Sequence, residues 1–173
     1  MSSAPIIRRA TTADLPAILT LVGRVVPLMR ASGNYQWAPD YPDERVFRQD
    51  IAQQHLWVAE LAGGAVVAVA ALTYNNQDPK YAQADWDPTE PALVTHRLAV
   101  DPDNQGHGLA AALLKQAEML AISQGLKSLR VDTNSENLAT QRLFPKLGYR
   151  FAGEINLAIR PGLRFFCYEK RLD

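Results

Sequence analysis

The chain has 173 residues, 47% apolar and 21% charged, the composition of a globular domain with a sizeable core. Its 18 basic and 18 acidic side chains cancel, so no global field favours nucleic acid or an anionic membrane, and the single Cys167 excludes an internal disulfide or a cysteine metal cluster. Met1 to Pro5 is short and polar with no apolar segment behind it, and no apolar run approaches membrane-spanning length; one cytoplasmic domain, 1-173, without a metal is expected.

Ile6 to Ala10 suits a first strand. Thr11-Thr12-Ala13-Asp14 then offers hydroxyl caps for a helix with Leu15, Ile18, Leu19, Val22, Val25 and Val26 on one broad apolar face. Ala31 to Pro42 is a loop rich in rings, with Tyr35, Trp37 and Tyr41; such rings either cover a core edge or wall a ligand pocket. Asp43 to Gln54 reads as a second helix with Val46, Phe47 and Ile51 inward. His55 to Leu61 and Ala65 to Thr73 make a hairpin around Ala62-Gly63-Gly64, and the nearly all-apolar second arm belongs in mid-sheet. Asn75 to Pro91 is a long connection holding three prolines, Tyr81 and Trp86.

The stretch from Val94 to Glu118 organises the rest. Val94 to Val100 is apolar and β-branched enough for a strand, which Asp101-Pro102-Asp103-Asn104 cannot continue. From Gly108 to about Gln124, Leu109, Leu113, Leu114, Ala117, Leu120 and Ala121 recur at helical spacing, and Gly125 stops the run. Gly106 and Gly108 let main-chain N–H groups at the helix start approach a ligand, and the free N–H groups with the helix dipole attract negative charge. A phosphate or pyrophosphate seat is expected there.

Beyond it, Ser128 to Asp132 is a short strand, made a parallel neighbour of the central one by the right-handed crossover. Asn137 starts a helix ending at Gly148 with Pro145 inside it, and Tyr149 to Asn156 with Arg164 to Arg171 form a last hairpin over Pro161-Gly162.

Spacing separates the glycine-loop families that use such a seat. A Walker A loop needs Gly-Lys-Ser/Thr, and no Lys follows either glycine. Gly106, Gly108 and Ala111 spell a dinucleotide fingerprint with Asp132 at about the distance of a ribose-binding acid, but five residues separate Val100 from Gly106 where that fold turns almost at once. Gln105-Gly106-His107-Gly108-Leu109-Ala110, after a strand ending Leu98-Ala99-Val100, resembles the acyl-CoA pyrophosphate loop of the GNAT superfamily of N-acyltransferases. A second stretch, Val131-Asp132-Thr133-Asn134, Asn137 and Gln141 to Tyr149, is similar to that superfamily's downstream signature. The resemblance implies an α/β (α+β) fold: a single mixed, mostly antiparallel sheet flanked by helices, with a splayed central parallel strand pair.

The resemblance further implies that the backbone around Leu98, Ala99 and Val100 pairs with pantetheine amides, and that amides from Gln105 through Gly106, His107, Gly108, Leu109 and Ala110 hold the pyrophosphate. Asn137 matches the asparagine that approaches CoA, and it can also cap its helix. Phe144 stands where the signature has a tyrosine that protonates the departing thiolate; a phenyl ring cannot donate a proton, so the acid is unassigned, with Tyr149, Tyr74 and Tyr168 as substitutes if the fold brings them near. A base must take the proton of the attacking amine. His96, two residues before Leu98 and expected on the same face by strand alternation, is the candidate; its alternative is a hydrogen-bonded structural histidine. Trp37, Tyr41 and Trp86 are candidates for the acceptor pocket, and Cys167 is a small core residue rather than a nucleophile, since direct amine attack needs no acyl-enzyme.

The sequence therefore reads as an acetyl-CoA-dependent N-acetyltransferase acting on a primary amine of a small molecule. Protein or peptide amines are the alternative acceptors, and a non-catalytic acyl-CoA sensor is the alternative class. The expected partners are a small-molecule amine and at most a second copy in a homodimer, with no nucleic acid and no membrane.

Overall fold

The computed structural model describes residues 4–74, 78–158 and 160–173. Seven strands form one sheet in the order β1 (Ile6–Arg9), β2 (Leu56–Glu60), β3 (Val66–Thr73), β4 (Leu93–Val100), β5 (Ser128–Asn134), β7 (Arg160–Arg171), β6 (Arg150–Leu157). Every neighbouring pair is antiparallel except β4 and β5, which run parallel across the sheet centre. The helices are α1 (Leu15–Ala31), α2 (Glu44–Ala52), α3 (Leu109–Ser123) and α4 (Leu138–Lys146).

Two apolar layers sandwich the sheet. On one face α1 presents Leu15, Ile18, Leu21, Val22 and Val26 to Val58, Val69 and Ala71, with Phe47 of α2 closing the edge. On the other, Leu109, Leu113, Leu114, Ala117 and Ala121 of α3 pack on Ala68, Ala70, Leu72, Leu93 and Leu129. Val67 to Leu72 of β3 are buried on both faces, as their unbroken apolar run requires. Each fully buried aliphatic side chain contributes roughly 1.5–3 kcal/mol.

Two expectations change here. Thr12–Ala31 is long and apolar enough to cross a membrane by composition, which the sequence reading did not anticipate, but its inward stripe forms the α1 side of the core. The last hairpin turns between Leu157 and Arg160, which are paired, and not at Pro161-Gly162. Pro161, Gly162 and Leu163 form a bulge within β7, where Gly162 takes φ 86° and Pro161 needs no ladder donor.

The decisive feature is where β4 and β5 part. They pair only at Leu93–Leu129, Val94–Arg130 and Thr95–Val131, while β4 stays bound to β3 as far as Val100 and β5 stays bound to β7 as far as Asn134. Past Thr95 a slot opens, edged by unpaired main chain. A bulge sits at its mouth: Ala71 pairs with His96 and Val69 with Ala99, so Arg97 and Leu98 stand opposite the single residue Ala70. Arg97 adopts φ 53°, a left-handed conformation that costs a non-glycine residue about 1–2 kcal/mol.

The extra residue breaks alternation. His96, opposite Ala71, falls on the α1 and α2 side, whereas Leu98 packs into the α3-side core, so the two do not share a face as expected. Arg97 is pinned by a bidentate pair, Nε and Nη2 each 2.7 Å from the carboxylate oxygens of buried Asp50 on α2. Replacing Asp50 with Ala strands a mostly buried guanidinium. D50A is expected to lose roughly 3 kcal/mol of stability in urea denaturation, and a loss below about 1 kcal/mol would show that the pair does not hold the bulge.

Candidate active site

The slot opens into a cavity of about 410 Å³. Its α4 wall is Asn137, Thr140 and Phe144, which share one helix face at spacings of three and four. Thr95, His96, Arg97 and Leu98 of β4 and Val131, Asp132 and Thr133 of β5 line the parting strands. Met29, Gln36, Trp37 and Tyr41, from the end of α1 and the loop after it, close the top, with Lys80, Ile155, Leu157, Arg160 and Phe165 on the far side.

Of the expected site residues, His96, Leu98, Asn137, Phe144, Trp37 and Tyr41 meet here. Trp86 does not line the cavity. It packs with Tyr81, Val94 and Cys167 in a third core cluster, its ring under the guanidinium of Arg130 at 4.8 Å. Tyr149, Tyr168 and Tyr74 also lie outside the lining. Tyr149 and Tyr168 are buried against Phe144, and Tyr74 is exposed beside His55. Ala99 faces the α1 and α2 core and Val100 the α3 core, so any ligand meets their main chain and not their side chains.

The loop from Gln105 to Gly108 is exposed on the α3 side of the parting. Gly106 and Gly108 take φ 80° and 75°, and Gly108 starts α3 with no side-chain cap. Among the described residues no group accepts a hydrogen bond from the main-chain N–H of Gly106, His107, Gly108, Leu109 or Ala110. A side chain at either glycine would meet open space, so conformation and not crowding demands glycine. Arg24 of α1 braces the loop from below: it bonds Asp101 and, at 2.7 Å, Asp103, while Asn104 Nδ2 donates to Asp101 at 2.7 Å. His107 is exposed. Asn137 serves as the cap of α4, its Oδ1 accepting from Thr140 N–H at 3.2 Å, and among the described residues nothing takes its Nδ2.

Sequence reasoning missed the polar groups that gather around His96. Asp132 accepts the Tyr81 hydroxyl at 2.6 Å and lies 3.5 Å from Lys80 Nζ. Burial holds the Tyr81 phenol well above its ordinary range, with the Asp132 charge adding to it, so Tyr81 is a fixed donor. Burial likewise pushes the Cys167 thiol up to about 12, as Asp132 opposes a thiolate across the strand pair; Cys167 is inert. Burial pushes the His96 imidazole down to about 4, aided by Lys80 and Arg97 and opposed by Asp132. Asp132 was legible in the sequence as a possible ribose ligand or as part of the downstream signature, and its commitment to Tyr81 and Lys80, in a mostly antiparallel sheet, removes the dinucleotide reading.

Amides without acceptors at a helix start thus stand on the same molecule as two central strands that part around a cavity. A model of the acetyltransferase (GNAT) family matches residues 24–149, and the chain belongs to that family of acyl-CoA-dependent N-acetyltransferases. It is 29% identical over 153 residues to the L-methionine sulfoximine/L-methionine sulfone acetyltransferase of Pseudomonas aeruginosa, an overlap of 86% of this chain and 82% of that protein. It is 31% identical over 100 residues to human N-acetyltransferase 8B, which is 57% of this chain but 39% of that protein, so it spans well under half of the human relative. A GNAT-family acetyltransferase from Streptococcus agalactiae superposes with a TM-score of 0.82 over 100% of this chain and 99% of its own, at 24% identity, a likeness of fold.

The residues present fit acetyl-CoA: unsatisfied amides for a pyrophosphate, an unpaired β4 edge for amide groups, and a cavity beyond it. Gly108→Val forces a β-branched residue into φ 75° and turns the amides away. It is expected to weaken acetyl-CoA binding at least roughly tenfold in calorimetric titration of a folded variant, and unchanged affinity would sink the seat.

His96 also makes stability depend on pH. In the native state it stays neutral down to about pH 4, while the unfolded chain takes up a proton near 6.5. The unfolded state therefore binds more protons across that window, and stability falls as pH drops from about 6.5 to 4. His96→Gln should flatten that part of a denaturation midpoint plotted against pH; an identical slope would mean that other groups carry it.

Proposed function

We propose that this protein transfers an acetyl group from acetyl-CoA to the primary amine of a small molecule, with His96 as the base. The observation that carries the reading is that one cavity, walled by Leu98, Asn137 and Phe144 on one side and Trp37 and Tyr41 on the other, holds an uncharged imidazole where β4 and β5 part. At about 410 Å³ with ring walls it suits a small amine better than an extended peptide. The acceptors named for the Pseudomonas relative, L-methionine sulfoximine and L-methionine sulfone, are of that size class.

Acetyl-CoA supplies the activated acetyl group as a thioester. The chain has three tasks: to hold the amine close, to take its proton and to exclude water. Neutral His96 has a lone pair available throughout the physiological range, and the carboxylate of Asp132 favours the imidazolium formed on proton uptake. Trp37, 6% exposed, and Tyr41 cover the site. Phe144 cannot donate to the departing thiolate, which leaves with its charge and takes a proton from solvent.

The phenyl ring at position 144 also favours a second reading, a non-catalytic sensor that binds acyl-CoA. Incubating the protein with acetyl-CoA and a panel of small amines, and following free thiol, separates the two: amine-dependent release supports transfer, whereas tight binding without release supports the sensor. In the first case His96→Gln is expected to lower kcat by about 10²-fold with little change in the KM for acetyl-CoA. Because His96 is already neutral, the wild-type profile should show no acid limb near 6.5 from this residue; a full-rate H96Q enzyme would return His96 to a structural role.

A further inference from the structure

The charges lining the cavity do not cancel. Lys80, Arg97 and Arg160 face it with Asp132 as the one carboxylate among the lining residues. Arg97 is neutralised from behind by Asp50, and Lys80 lies against Asp132. Arg160 has no such partner. Its guanidinium donates to the main-chain carbonyls of Gln36, at 3.1 Å, and of Tyr35, and among the described residues it meets no carboxylate. A half-buried arginine that, among the described residues, is held by neutral carbonyls alone is oriented yet uncompensated, and it retains donors for a planar anion.

We propose that the acceptor carries a carboxylate as well as its amine, an α-amino acid or close analogue, with the carboxylate at Arg160 and the amine end at the Asp132 and His96 pole. The proposal rests on the acetyltransfer reading and deepens it. Arg160 starts β7 and Asp132 sits on β5, and both line the same cavity; Asp132 Oδ2 is held by Tyr81 and Lys80, but among the described residues no donor meets its Oδ1, which is left for the amine end of a small zwitterion. Pinning both ends directs the nitrogen toward the slot, where an uncharged amine or a long cation would leave Arg160 unanswered. The carbonyls that orient Arg160 belong to the loop carrying Trp37, so seating an anion there also fastens that loop over the site.

The test is a pairwise acceptor screen with acetyl-CoA: each of the common L-amino acids against the amine left when its carboxylate is removed, for example L-leucine against 3-methylbutylamine. The expected result is at least a tenfold higher kcat/KM for the amino acid in the best pair. In Arg160→Gln that preference should fall at least tenfold, through KM for the amino acid, with the decarboxylated amine losing much less, and Arg160→Lys should recover part of it. Equal turnover of both members of every pair, or a uniform loss of rate for both in R160Q, would overturn the carboxylate anchor and leave Arg160 as a loop tether. Acetylation of a lysine-containing peptide in preference to every free amino acid would overturn it too. Absence of transfer to any amine by protein that binds acetyl-CoA would instead overturn the acetyltransfer reading beneath it.

Discussion

The candidate site depends on two strands that stop pairing. β4 and β5 share a ladder for three residues and then diverge, each still bound to its outer neighbour. A parting of this kind exposes main-chain groups that would normally be satisfied, a cost tolerable only where a ligand can take their place. The bulge at Arg97 lies where β4 leaves β5 and adds local strain, and the buried bidentate pair with Asp50 ties it to α2. An ion pair thus braces Arg97 from α2, while the apolar packing of α3 is continuous on the other face of the sheet.

The closed half of the sheet shows the opposite arrangement. Below the parting, Arg130 of β5 is fully buried, its Nε 3.0 Å from Glu169 of β7, with Ser128 donating to the same carboxylate oxygen at 2.8 Å and Arg150 to the other at 3.0 Å. Trp86 covers the guanidinium. Buried charges of this kind contribute little net stability, but they penalise any register in which a partner is lost. They fix β5 to β7 while β4 is free to leave, and in doing so they recruit the tryptophan that the sequence had suggested for the acceptor pocket.

The chemistry sits at the junction of these halves. Desolvation favours the uncharged form of His96, as the proposed base requires, and the same effect holds the Cys167 thiol protonated, in keeping with the core role expected for it. Phe144 occupies the α4 face that meets the slot, packed against Tyr149 and Tyr168, and no phenol among the three expected substitutes reaches the cavity. A thiolate leaving group does not demand an acid, so the ring can serve as an apolar wall that dries the site without stopping transfer.

By itself the sequence determined what is local. The turn at Asp101 to Asn104, the glycines that open α3, the cap at Asn137 and the apolar stripes of the helices are set by backbone preference and short-range hydrogen bonding, so the glycine turn before α3 and the element order could be read directly. As site residues Asn137 and Phe144 were legible only through the resemblance to the downstream signature, and the helix face they share came with the structure. What the tertiary structure alone decided is long-range: a bulge that puts His96 and Leu98 on opposite faces, an aspartate 47 residues from its arginine, Tyr81 reaching Asp132 across 51 residues, and Arg160 meeting Gln36 across 124. No periodicity encodes such pairs, because each is chosen by which strands and loops the sheet brings together and by the need of each buried charge for a partner.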